Sequence, residues 1–334
     1  MSDDAMTTTA PLPQTRAAQA IRIFQICYSP ETLASIPAGF SALDNTRNER
    51  PDWREYWHIR QYLLNHTLEE NTLYGFFSPK FPQKTGLDLQ GIQTFIDTSY
   101  HGEDVVFFSP FWDLSSFFLN VFEQADFFHD GIQATSRAFI KRSGGNEASI
   151  DRVMHSRNTI FCNYFLAGRK FWMKWLELGE RLFAAAESTD ASDELTAMLN
   201  AETRYGKQRV PRKVFVMERL ASLLVASDPT CTTCPFDTFR LAPSATPLNQ
   251  HFHKAVSCDA LKRAWMDSGS AAAISTFMHI RDAVLKTLTQ PAEKSEPEAK
   301  ITSLETIRGA GLIAAATKET ADSELRKNYG LDIA

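Results

Sequence analysis

Two periods of apolar residues alternate along this chain. Short β-branched and aromatic runs, each stopped by a Ser-Pro pair, predict strands at 21–28, 72–78 and 104–109. Two of them end alike, in Phe76-Phe77-Ser78-Pro79 and Phe107-Phe108-Ser109-Pro110, thirty-one positions apart. Between these two, Leu89, Ile92, Phe95 and Ile96 recur at helical spacing and predict a helix over 88–98. A strand, helix and parallel strand at this distance form a βαβ unit, which brings both Ser-Pro tips to one edge of a parallel sheet. In open α/β sheets that carboxyl edge is where ligands bind.

Pro51 opens a longer period of 3.6. Trp53, Tyr56, Trp57, Arg60, Leu63 and Leu64 share one helix face, with Arg60 inside the apolar stripe. A charge there needs a partner, either an internal carboxylate or a bound anion. Further helices are expected over 112–125, 169–187, 212–226, 257–267 and 271–289, with a third buried strand-like run over 158–166. Residues 143–146 read as a loop, and 188–193 break the helix before them. Residues 227–250 carry four prolines and read as loop. The pattern therefore predicts an α/β chain with a disordered segment over 1–18, a main domain over 19–226 and a loop-rich helical extension over 227–289. A linker of Pro, Glu and Lys follows over 290–300, then a helical or disordered tail over 301–334 that suits a protein partner.

Composition adds exclusions. A net charge of −5 over 334 residues gives no general attraction to nucleic acid, so any anionic ligand must meet a local cluster of Lys and Arg. Five scattered cysteines form no secreted disulfide framework, and neither an export signal nor a membrane span is visible, so a cytoplasmic location is expected. Cys27 and Cys162 sit in apolar runs and read as core residues. Cys231-Thr232-Thr233-Cys234, with His251 and His253 downstream, offers zinc-type ligands at a spacing that matches no known zinc module.

Four blocks, taken in order, carry a resemblance. The first is Glu55-Tyr56-Trp57-His58-Ile59-Arg60-Gln61-Tyr62-Leu63-Leu64-Asn65 followed by Tyr74-Gly75-Phe76-Phe77-Ser78-Pro79-Lys80. Asp104-Val105-Val106 comes next, then Glu123-Gln124 and His129, then Asn163-Tyr164-Phe165-Leu166 ahead of an aromatic helix; Phe215-Val216-Met217-Glu218-Arg219-Leu220 closes the set. Together they resemble a GT-A-like glycosyltransferase family of bacterial capsule, exopolysaccharide and O-antigen gene clusters, over roughly residues 20–226. Two positions depart from the family pattern: its basic, aromatic strand tip is Ser78-Pro79-Lys80 here, and its glycine before Phe215 is Val214. The resemblance implies a GT-A-like (Rossmann-like) mixed, mainly parallel sheet flanked by helices. It also implies transfer of a sugar from a nucleotide-sugar donor to a glycan or lipid-linked acceptor, in the cytoplasm or at the inner face of the membrane. The competing expectation is a non-catalytic scaffold or regulatory subunit of the same fold.

Such a transfer must neutralise a departing diphosphate, with a metal held by acidic residues or with Lys and Arg. No Asp-x-Asp occurs, and Asp44 and Asp104 are the nearest acidic candidates, so Lys80, Arg60 and Arg219 are the expected cations while an Mn or Mg ion stays open. Asn45, Asp44, Ser78 and Ser109 join them as donor-binding candidates at the strand tips. Asp44-Asn45 is equally ordinary turn chemistry. An acceptor hydroxyl needs a base, for which Glu218, His129 and Asp130 are the options and Glu218 the first choice on the resemblance. The alternative for Glu218-Arg219 is a charged helix surface, and for His129 a structural ring among aromatics. Asn163, a polar residue inside an apolar run, and Glu55 are the acceptor-binding candidates.

Overall fold

The computed structural model describes residues 19–289. Six strands form one sheet: β1 (Ala20–Cys27), β2 (Ser41–Asp44), β3 (Thr72–Phe77), β4 (Val105–Phe107), β5 (Phe165–Ala167) and, last in the chain, Thr233–Pro235. Before that last strand, β6 (Glu202–Tyr205) and β7 (Gln208–Pro211) make a separate antiparallel hairpin, so Thr233–Pro235 is β8. The sheet order is β2-β1-β3-β5-β4-β8, and β5 alone runs against its neighbours. The protein is thus α/β, with a mostly parallel sheet flanked by helices.

Both faces of the sheet are covered, which is why β3 is buried at every position and reads as a continuous apolar run. Tyr74 and Phe76 face the helices Glu55–Asn65 and Arg169–Ala186, where Trp172 and Trp175 pack. Leu73 and Phe77 face the helix Leu89–Ser99 through Ile92 and Ile96. The Trp172 indole stacks on Phe165, with ring centroids 4.5 Å apart, and donates to the Tyr74 carbonyl at 2.9 Å. Gly75 leaves β5 its place, since a Cβ there would lie 2.5 Å from the Leu166 side chain.

The expected elements are present with informative differences. The two Ser-Pro tips do emerge on one edge, but β3 and β4 are not neighbours, because β5 lies between them. The strand expected over 158–166 is confined to Phe165–Ala167, and the chain before it is irregular. The helix expected from Pro51 starts at Glu55, and Leu64 is half exposed rather than on the buried stripe. The 112–125 segment breaks into Trp112–Ser116 and Val121–Phe128, because Asn120 caps the second helix through the Phe122 and Glu123 amides. The 212–226 helix is interrupted at Arg219. Pattern reading missed β2, the β6–β7 hairpin and the helix Ile132–Arg142.

The division expected at 226 cuts across the sheet, because β8 lies in the segment read as loop and pairs with β4. Residues 19–289 pack as one unit. The C-terminal helices Phe252–Ser268 and Ala271–Thr289 are fastened to it by two buried cations. Lys262 donates to the Ser115 and Phe118 carbonyls at 2.6 and 2.8 Å, and Arg281 pairs with Glu123 at 2.8 Å. Burial pulls the Lys262 ammonium down to about 8, with Asp259 opposing. The segments 1–18, 290–300 and 301–334, expected to be a disordered segment, a linker and a tail, lie outside the described residues.

Lys262→Met should therefore destabilise the fold by about 2–4 kcal/mol, because two buried carbonyls lose their donor. Urea unfolding at constant slope measures it. An unchanged midpoint would mean that the C-terminal helices are not held through this contact.

Candidate functional site

Strand order locates the site. From β1 the chain goes to β2 on one side and returns to β3 on the other, so the topological switch point lies between β1 and β3. At the carboxyl edge there, Tyr28 follows β1, Asn45 follows β2, Ser78 follows β3, and the antiparallel β5 brings its leading residues Cys162, Asn163 and Tyr164 to the same edge. The Tyr28 hydroxyl donates to Glu55 Oε1 at 2.7 Å, Ser78 Oγ and the Tyr164 hydroxyl share a bond of 2.7 Å, and Lys84 Nζ donates to Cys162 Sγ at 3.2 Å. Lys84 comes from the short helix Phe81–Thr85, with Pro82 in its first turn and Gly86 closing it at φ 69°. Its ammonium lies over the Phe111 and Tyr164 rings, at 5.1 and 5.6 Å.

These groups cluster at the carboxyl edge. The Glu218 side chain is 46% accessible, yet desolvation by surrounding protein raises its carboxyl above the ordinary range. Glu55 behaves alike: burial raises its carboxyl, the Glu218 charge adds to the rise, and the Tyr28 hydroxyl and Lys84 oppose it. Burial likewise pushes the Cys162 thiol up to about 11 against the pull of Lys84. For Lys84 burial acts against the charge, but Cys162 and Glu55 outweigh it and the ammonium is raised. Arg54 is the second cation, felt by both carboxyls and lying 5.3 Å from the Tyr205 ring of the β6–β7 hairpin. Two hindered carboxyls beside two cations can move a proton and hold an anion in one place.

Backbone strain gathers at the same edge. Among the described residues, six non-glycine residues have positive φ. Asn48, Asn71 and Asn163 (52°) tolerate it, whereas Arg54 (φ 47°), Phe111 (69°) and Cys162 (59°) are strained and lie at the carboxyl edge. Such geometry persists where the surrounding structure over-determines it, and it marks binding and catalytic positions.

Of the expected site residues, Glu218, Glu55, Asn45, Ser78 and Asn163 come together here. Others are corrected. Arg60 is an internal ion pair: its guanidinium meets Glu180 through two bonds and lies 4.5 Å from the Phe183 ring, so it is not available to an anion. Asp104 precedes β4 and bonds Thr232, which places it at the opposite edge. Ser109 is buried and accepts the Phe161 amide, and Asp44 accepts the Thr46 amide, which lowers its carboxyl in an ordinary turn. Arg219 is buried and spent on the Phe215 and Val121 carbonyls and Gln124; burial pulls it down to about 10.

Lys80 is exposed at the start of the helix Phe81–Thr85, so the tip's working cation is Lys84, one turn further on. His129 stacks on Phe215 at 4.1 Å and its Nδ1 is bonded to the Arg204 carbonyl; burial lowers its pKa, and it acts as a structural ring. The Asp130 side chain is exposed, and its carbonyl takes Arg212. Cys231, Cys234, His251 and His253 do not converge, and among the described residues no group of three or more His, Cys, Asp or Glu could hold a metal. Cys27 lies in the buried core, and Cys162 is partly buried and packs against it. Sequence reasoning missed Tyr28, Arg54, Lys84 and Cys162. Only Lys84 had a readable signal, a cation one turn beyond the strand tip.

Two further hollows lie elsewhere. The charges of one, Arg142, Asp193 and Arg181, are already paired, and the other surrounds Asp104 and Lys174 away from the carboxyl edge. Comparison with protein-family models, curated proteins and solved structures finds no match.

Because the fold raises both carboxyls, it favours their protonated forms. Their contribution to stability is full below the ordinary Glu range near 4.3 and is lost as pH rises through the raised values. Glu55→Gln/Glu218→Gln should therefore lose less melting temperature between pH 5 and 8 than the unaltered protein. Parallel pH profiles would contradict the shifts.

Proposed function

We propose that this chain is a glycosyltransferase that moves a sugar from a nucleotide-diphosphate donor to a hydroxyl of a glycan or lipid-linked acceptor, at the carboxyl edge between β1 and β3. The observation that carries the reading is the clustering, at the carboxyl edge beside the switch point, of Glu55 and Glu218 with Lys84 and Arg54, tied in through Tyr28, Cys162 and Arg219. The mixed, mainly parallel sheet is the kind that the GT-A-like resemblance implies. No helix among the described residues is long and apolar enough to cross a membrane.

Each group has a part in the chemistry. As the acceptor oxygen bonds to the anomeric carbon, Glu218 takes its proton, and the bond from that carbon to the diphosphate oxygen breaks. A carboxylate with a raised pKa suits this task because its proton affinity approaches the working pH. Lys84 and Arg54 meet the charge that grows on the departing diphosphate. Arg219 holds Glu218 from 3.7 Å while its own hydrogen bonds go to carbonyls and Gln124. Glu55, tied to Tyr28, supplies a second acceptor for a sugar hydroxyl.

Thermal stability against UDP-, GDP-, dTDP- and CMP-sugars, with and without Mn²⁺, should shift with one nucleotide class. Saturation at a hundred times Kd adds about 2.7 kcal/mol. Glu218→Gln should keep that shift and lose turnover by about a hundredfold or more, whereas Lys84→Ala should lose the shift. No response to any donor would favour a non-catalytic scaffold.

A further inference from the structure

The β6–β7 hairpin stands apart from the main sheet and carries the opposite charge to the chain as a whole. Over 202–209 it has three cations, Arg204, Lys207 and Arg209, against one acid, Glu202, while the chain's net charge is −5. A two-residue turn joins the strands, with Gly206 at φ 59° and Lys207 at the tip. Thr203 and Val210 oppose each other and are buried. The next pair in register, Arg204 and Arg209, therefore occupies the outer face, and both residues are exposed.

That pair is the unusual feature. Like charges directly opposite each other, with Cβ atoms about 4.5–5.5 Å apart, destabilise an antiparallel pair. Glu202 answers Arg209 at 3.0 Å, but the two side chains are 55% and 69% exposed, so water screens the bond. Arg204 reaches only the Gly206 carbonyl, at 3.3 Å, and among the described residues neither Arg204 nor Lys207 pairs with a carboxylate. An anion shared among the three cations would relieve their repulsion.

The position of the hairpin names the carrier of that anion. Tyr205, half-exposed at the end of β6, lies 5.3 Å from the Arg54 guanidinium, which also reaches Gln208 Oε1 at 3.5 Å. Arg54 directly precedes Glu55. Tyr205 also meets Phe215, with ring centroids 5.7 Å apart, on the helix that ends at Glu218. The hairpin is thus clamped beside both carboxyls, where the body of a long acceptor lies while its end meets the edge. A nucleic acid would need a longer basic track than one hairpin on an acidic chain.

We infer that the outer face of the hairpin binds an acidic glycan, with Arg204, Lys207 and Arg209 receiving the carboxylates of its uronic sugars. The inference rests on the transfer reading and adds the class of its acceptor.

The test titrates the full chain with hexagalacturonate and with a hyaluronan hexasaccharide, using the methyl ester of the first and a thymidine hexanucleotide as controls. At least one acidic oligosaccharide should bind, more weakly at higher salt, and the ester should not. Arg204→Gln/Lys207→Gln/Arg209→Gln should weaken that binding about tenfold or more and melt no lower than the unaltered protein, since a like-charge pair is removed. Arg22→Gln/Lys141→Gln/Arg169→Gln removes three exposed cations elsewhere and should leave binding unchanged. Binding of neither oligosaccharide, equal binding of the ester or the hexanucleotide, or equal loss in both triple variants would overturn the inference.

These titrations need neither donor nor turnover, so the two readings fail separately. A protein that binds hexagalacturonate through the hairpin but responds to no nucleotide-sugar would lose the transfer reading and keep the glycan surface. One that responds to a donor but binds no acidic oligosaccharide would do the reverse.

Discussion

β5 must run against β3 and β4 because the chain reaches it from the carboxyl edge, and that reversal sets the geometry of everything beside it. To turn into β5 the backbone passes through two left-handed residues, Cys162 and Asn163. The turn sets Tyr164 against Ser78 and Cys162 against Lys84, tying the residues after β3 to those before β5. Behind it, Phe165 stacks on Trp172, and Gly75 leaves room for Leu166. A three-residue strand anchored by so much buried aromatic surface can hold an unfavourable turn in place.

The same edge carries an electrostatic cost. Burial raises both Glu55 and Glu218, the Glu218 charge adds to the rise at Glu55, and Lys84 and Arg54 oppose it at both. Elsewhere the molecule pairs its charges: Arg60 with Glu180, Arg142 with Asp193, Arg281 with Glu123. At the carboxyl edge, by contrast, two carboxyls share one neighbourhood with backbone strain at Arg54, Phe111 and Cys162, an arrangement that costs stability.

Much of this was legible in the sequence. Ser-Pro tips located the carboxyl edge, helical spacing found Glu55–Asn65 and Leu89–Ser99, and the resemblance drew attention to Glu55, Asn163 and Glu218. Three physical facts hid the rest. A strand of three residues, such as β5 or β8, carries too few positions to show a period, and its direction has no sequence signal at all. Lys84 belongs to a single helical turn that follows a proline and reads as loop. Arg60 and Asp104 were misplaced because a charge next to an apolar run looks the same whether its partner is a ligand or a distant residue, here Glu180 and Thr232.

Hydrogen exchange of the full chain, measured with and without the nucleotide-sugar that stabilises it, tests the central claim most directly. Amides around Tyr28, Asn45, Arg54, Lys84 and Asn163 are far apart in sequence and share only the carboxyl edge. The account predicts that these segments gain protection together. Protection confined to the Arg142 hollow or the C-terminal helices, or none with any nucleotide-sugar, would contradict it.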